Sequence, residues 1–260
     1  MHAPSASDVL PRLLLFAGSA FLSWILFLVA LPGSGLLRAV SASLAAGLGA
    51  NWICARVFGA GQWRDFGMAW TGQAARRAAW GLGLGLGAVA VLAGGAVATG
   101  AARLEAGAAW RQWPRLAAVL LAGAAGEELL FRGYGFQAVA AARPVWAIGG
   151  SGALFGLTHW ALNEHIGPLA AFNTALWGAL LGFACWRTGA LWLPIGLHFG
   201  WNLGLALLGQ PLSGITMEAA VFRLVWTASE WSSGGPYGPE GGWPAALLAV
   251  VVYSWLRRIR

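Results

Sequence analysis

Residues 116–138 read LAAVLLAGAAGEELLFRGYGFQA, an apolar stretch of helix length interrupted by Glu127, Glu128 and Arg132. About 20 residues of this kind cross a bilayer as a helix. Ionisable groups inside such a segment are costly, so they mark function by default. Outward from this stretch the chain repeats the apolar half of the pattern. Windows of about 19 residues with few charges predict spans near 11–31, 39–59, 78–99, 116–138, 146–161, 168–186, 189–208 and 243–256. The expectation is an all-α, polytopic integral membrane protein with about eight transmembrane helices. No polar block between the spans is long enough to fold alone, so residues 1–260 read as one membrane-embedded domain with a candidate catalytic core at about 116–208.

Composition agrees. Of 260 residues, 58% are hydrophobic and 10% charged, and the mean hydropathy is +0.66, which excludes an ordinary soluble domain. The net charge of +7 comes from 16 basic residues, all Arg, against 9 acidic ones. The Arg residues punctuate the ends of apolar runs instead of grouping on one surface, so they read as membrane orientation and not as nucleic-acid binding. With eight spans, ten Arg fall on the side of both termini, among them Arg12, Arg56, Arg76, Arg77, Arg187, Arg257 and Arg260. Five fall on the other side, with Glu105, Glu164, Glu218, Glu230 and Glu240. That excess predicts cytoplasmic termini. Arg without Lys, beside abundant Ala and Gly, reads as GC-rich coding, hence a bacterium and its cytoplasmic membrane. The first apolar run lacks a small-residue cleavage site and reads as a retained span. Cys54 and Cys185 fall in apolar segments and imply no disulfide framework.

Several features receive structural readings. Most of the 17 Trp lie near span ends, where an amphipathic ring anchors the interface. Residues 61–77 mix Trp63, Phe66 and Trp70 with Arg64, Asp65, Arg76 and Arg77, as a segment in the headgroup layer does. Gly81, Gly83, Gly85 and Gly87 suit close helix packing. Ser229 to Gly242, rich in Gly, Pro and Ser, reads as a long loop.

The chemistry concentrates on three spans. Glu128 and Arg132, four apart with the acid on the N-terminal side, form a favourable helical ion pair. Glu127 lies about 100° round the helix and is less committed, so it is the candidate base. His159 and His198 lie inside later spans, and Asn202 shares the His198 face at i, i+4. With alternate spans running in opposite directions, Glu127, His159 and Asn202 all fall about 17–20 Å from the cytoplasmic span ends, and His198 about 14 Å. A carboxylate and an imidazole to deprotonate water, with neutral donors for an oxyanion, are the parts of amide hydrolysis. The same Glu and His residues could instead hold a Zn²⁺ through Glu127, His159 and His198, although no H-E-x-x-H pattern is present. Asn163, Glu164 and His165 sit at a predicted span end and read as an interfacial connection.

Glu127-Glu128 with Arg132, then Phe155 with His159, then His198 with Asn202 give E-E-x-x-x-R, F-x-x-x-H and H-x-x-x-N in order on successive apolar segments. This constellation resembles the CPBP family of type II CAAX prenyl endopeptidases and bacteriocin-processing or immunity membrane proteins, over about 116–208. The resemblance implies an intramembrane endopeptidase in which Glu127 and His159 activate water and His198 and Asn202 form the oxyanion hole. It implies supporting roles for Glu128 and Arg132, and packing beside the site for Phe155. It requires no cofactor in its water-activating form and keeps Zn²⁺ as the metal alternative. The partners it implies are the bilayer and a membrane-associated peptide or protein substrate, and no nucleic acid. Gly238-Pro239-Glu240-Gly241 resembles a loop of some bacterial members. The rival expectations are a non-catalytic scaffold or immunity protein, in which the polar cluster is a structural lock, and a proton-coupled transporter.

Overall fold

The computed structural model describes residues 6–32, 35–107, 111–164, 166–217 and 220–258; His165, Glu218 and Arg260, used above, lie outside them. The described chain is predominantly helical. Its helices are α1 (Ala6–Ala30), α2 (Gly35–Phe58), α3 (Ala74–Ala98), α4 (Trp113–Arg132), α5 (Tyr134–Ala140), α6 (Pro144–Leu162), α7 (Pro168–Thr188), α8 (Trp192–Leu207), α9 (Glu230–Ser233) and α10 (Trp243–Leu256).

Each predicted span coincides with a helix, but only four helices are long and apolar enough to cross a membrane on length and composition: α1 from Val9, α2, α3 and α7. The others fall short for physical reasons. Helix α4 carries Arg115, Glu127, Glu128 and Arg132, while α8 has 16 residues and α10 has 14, about 24 and 21 Å of rise against a hydrocarbon core of about 30 Å. One boundary is corrected. The span expected to run to 138 ends at Arg132, because Gly133 leaves the helical region at φ −72° and ψ −144° and starts the separate helix α5. Glu127 and Glu128 thus lie in the last two turns of α4, not near its middle.

Small residues set how closely the helices pack. The alternating glycines of α3 divide into two classes. A Cβ on Gly81 would lie 2.3 Å from the Leu193 carbonyl oxygen and one on Gly85 2.4 Å from that of Leu197, whereas Gly83 and Gly87 face open space. Gly196 and Gly200 of α8 return the contact, 2.1 Å from Ala78 O and 2.4 Å from Leu82 O. Thus α3 seats α8, which carries two of the candidate site residues. Gly85→Ala is expected to destabilise by about 1–3 kcal/mol through backbone overpacking. Gly83→Ala is expected to be neutral or slightly stabilising, since Ala is the better helix former. Thermal unfolding in detergent separates the two; equal losses would refute this packing.

Two features were not expected. Strand β1 (Ala102–Ala106) pairs antiparallel with β2 (Phe222–Trp226), from Ala102 opposite Trp226 to Ala106 opposite Phe222. Hydropathy windows miss five-residue strands, and this pairing is held from outside: Leu224 N–H donates to Leu208 O at 3.0 Å and Val221 N–H to Leu207 O at 2.9 Å. The second is the local order of residues 229–242, the long loop before α10, which holds α9 and two 3₁₀ turns, 235–237 and 239–241. Gly234, Gly235 and Gly238 take the positive φ values these reversals need, 77°, 58° and 96°. Residues 61–77 form a 3₁₀ turn at Trp63–Phe66 with Phe66 buried and Trp63 and Trp70 exposed. The segment docks on the start of α8 through Leu191 N–H to Gly67 O and Trp192 Nε1 to Ala69 O, both 2.9 Å.

Candidate active site

The break after α4 is where the site begins. Interrupting a helix leaves backbone groups without intrahelical partners, and Asn51 of α2, fully buried, supplies them. Its Nδ2 donates to Leu129 O at 2.8 Å and its Oδ1 accepts from Tyr134 N–H at 2.6 Å. A Cβ at Gly133 would lie 2.2 Å from that Oδ1, so glycine and asparagine here require each other. Asn51 was not singled out in the sequence, although a lone Asn inside an apolar span was the available signal.

Arg132, at the end of α4, is wholly buried. Its Nη1 donates to Glu128 Oε1 at 3.2 Å and its Nη2 to the Gly178 carbonyl of α7 at 2.6 Å. Its guanidinium stacks over Phe155 of α6, 4.7 Å from the ring centroid. Phe155 therefore packs against the site, and the expected Glu128–Arg132 pair forms. Glu128 has a second partner that was not expected: the same Oε1 accepts from His198 Nδ1 at 3.0 Å. One carboxylate thus gathers α4 and α8, and through Arg132 also α7.

Glu127, His159, His198 and Asn202 line one cavity of about 70 Å³, room for a handful of waters at roughly 10–15 Å³ each. The Glu127 Oε2 lies 3.8 Å from His198 Nε2, beyond hydrogen-bond reach, and accepts no hydrogen bond among the described residues. His159 Nδ1 is 2.9 Å from the Phe155 carbonyl of its own helix. A carbonyl only accepts, so Nδ1 carries the proton and neutral His159 keeps its lone pair on Nε2, as a base needs. The same reasoning puts a proton on His198 Nδ1, facing the Glu128 carboxylate. Neutral His198 then offers only a lone pair at Nε2, so among the two expected oxyanion partners Asn202 is the donor that needs no added proton.

The cavity has a second wall. Helix α7, whose span was not assigned to the site, contributes Asn173, Thr174 and Trp177, and residues 212–213 and Glu240 complete it. Trp177 and Trp201 pack ring to ring at 4.3 Å and are buried, unlike interfacial anchors. Trp201 Nε1 donates to Glu240 Oε1 at 3.1 Å, and Ser213 N–H and Oγ donate to Oε2 at 2.6 and 3.1 Å. Asn173 Nδ2 ties the turn down by donating to Glu240 O and Gly242 O at 2.9 and 2.8 Å. Tyr237 in this loop is buried, and burial and then Glu240 push its phenol up to about 12, so it stays neutral beside Thr174 Oγ1 at 3.1 Å. Asn163 bonds to the Ser213 carbonyl, a link to this wall and not a part of the cavity lining.

Among the described residues no three His, Cys, Asp or Glu side chains are grouped as ligands for a metal ion. Glu127, His159 and His198 line one cavity without forming the set that a Zn²⁺ route needs, and no step below is routed through a metal.

Residues 108–204, a little over a third of the chain, match the family model described as Type II CAAX prenyl endopeptidase Rce1-like. The match runs from just before α4 to within α8 and contains all three motifs. No curated protein and no solved structure matches the chain.

Proposed function

Because residues 108–204 are an Rce1-like domain of the type II CAAX prenyl endopeptidase family, whose members are intramembrane proteases, we propose that this integral membrane protein hydrolyses a peptide bond of a membrane-associated protein or peptide inside the cavity between α4, α6, α7 and α8. The observation that carries the reading is the convergence of Glu127, His159, His198 and Asn202, from three helices, on one cavity of about 70 Å³. Glu127, assisted by His159 Nε2, takes a proton from water. The resulting hydroxide adds to the carbonyl carbon, and the oxyanion is held by the Asn202 amide and by His198 in its doubly protonated form. Collapse breaks the C–N bond, and the proton taken from water passes to the leaving amine. Glu128 and Arg132 act behind the cavity: they fix the His198 ring and hold α4 against α7.

In this reading α4, α6, α8 and α10 complete an eight-span bundle with α1, α2, α3 and α7, both termini face the cytoplasm, and the membrane is the cytoplasmic membrane of a bacterium. The reaction needs no metal. The test is cleavage of a membrane-tethered peptide library by purified protein with and without a chelator. Cleavage that survives chelation is expected. Activity lost to chelation and restored by Zn²⁺ would replace this mechanism with a metal-dependent one.

A further inference from the structure

The part of the lining formed by Asn173, Thr174, Trp177 and Glu240 has no task in the hydrolytic step, yet it carries charge. Glu240 accepts three hydrogen bonds, from Trp201 Nε1 and from the Ser213 N–H and Oγ. Both carboxylate oxygens of Glu240 act as acceptors, and all three of their partners are uncharged donors. Among the described residues no Arg or His forms an ion pair with it. Arg132, the buried cation of the region, is committed to Glu128 and the Gly178 carbonyl. Glu127, which lines the same cavity, is also an acid.

Asn173 supplies an independent observation. It is completely buried, it lines the cavity, and its Oδ1 accepts no hydrogen bond among the described residues. The amide cannot be reversed to remove this orphan, because both partners of Nδ2 are carbonyl oxygens, which only accept. Buried acceptors without donors are rare in folded proteins. A cavity lined by a carboxylate without a counter-ion, beside a buried amide oxygen that lacks a donor, matches a group with positive charge and only donors, which is an ammonium or a guanidinium. Its volume of about 70 Å³ admits the tip of one side chain.

The geometry points to Glu240 and Asn173 as a recognition subsite for a Lys or Arg side chain of the peptide substrate, next to the bond that is cut. The position beside the scissile bond rests on the hydrolytic reading above; the recognition of a cation does not. The test is therefore one of binding. Lipid-tethered Ala/Gly peptides bearing one Lys, one Arg or one norleucine, with a ketomethylene group in place of the scissile amide so that none is cleaved and none gains a charge there, are titrated against the protein in nanodiscs.

Wild type is expected to bind the Lys and Arg peptides about tenfold more tightly than the norleucine peptide. In Glu240→Gln that ratio is expected to fall to about one, and in Glu127→Gln it is expected to persist. The last variant localises the charge even if Glu240→Gln does not fold. Equal binding of all three peptides by wild type, a ratio undiminished in folded Glu240→Gln, or a ratio that collapses in Glu127→Gln would each overturn the subsite. Loss of the hydrolytic reading would show separately, as absence of cleavage of ordinary amide peptides.

Discussion

Glu127→Gln is expected to lower kcat for cleavage of a membrane-tethered peptide by about 10²–10⁴, the usual contribution of a positioned general base. The substitution keeps the size of the side chain and removes only its ability to take a proton. The Glu127 Oε2 accepts no hydrogen bond among the described residues and meets His198 Nε2 only at 3.8 Å, so little structural is lost with its charge, and the unfolding temperature in detergent should stay within a few degrees of wild type. His159→Ala should reduce kcat to a similar degree, because the Nε2 lone pair directed away from Phe155 O acts on the same water. The double variant should be scarcely worse than either single one, since residues that act as a unit are not additive. A folded Glu127→Gln protein that cleaves at the wild-type rate would remove the proposed mechanism. It would favour the scaffold reading, in which the polar residues only lock helices together.

Arg132→Met has the largest expected effect on stability, a loss of about 3–5 kcal/mol, as when one partner of a buried ion pair is removed. Arg132 and Glu128 are both wholly inaccessible. Without the guanidinium, Glu128 keeps His198 alone as partner and the Gly178 carbonyl loses its donor. The charge and not the volume is the cause, because Met fills much of the same space. The double variant Glu128→Gln with Arg132→Met should therefore recover much of the stability while leaving His198 without its carboxylate and cleavage impaired. Chemical unfolding in mixed micelles measures both. An Arg132→Met protein as stable as wild type would mean that the network contributes nothing to holding α4 on α7.

The two variants divide the cluster into chemistry in the cavity and scaffold behind it, and the sequence distinguishes those parts unequally. Spacing along one helix is enough to pair Glu128 with Arg132, because i, i+4 residues meet on any helix. The bond from His198 to Glu128 crosses between helices 70 residues apart, and no local spacing encodes it. The depth reckoning that brought Glu127, His159 and Asn202 to one level used a span ending at 138. Helix α4 ends at Arg132, so the convergence arises from how α4, α6 and α8 are offset against each other and not from equal distances to their helix ends. The wall formed by Asn173, Thr174, Trp177 and Glu240 was illegible for a related reason. Its members look like an Asn and a Thr in an apolar helix, an anchoring Trp and a polar loop residue until the fold places them in the lining of the same cavity as Glu127.

What the sequence by itself determined is the membrane environment, the helical class, the three motifs and the residues that carry the charge, because hydropathy and short helical spacings are properties of neighbours in the chain. Only the tertiary structure decided where α4 stops, which imidazole nitrogen is engaged, that β1 and β2 pair, and that the 229–242 segment brings Glu240 to the lining of the site. Each of these depends on a backbone or side-chain group finding a partner far along the chain, as Asn51 does at Gly133 and Glu240 does at Trp201. Such partners become neighbours only when helices bearing glycine at their contacts pack closely enough to bring them within hydrogen-bond reach.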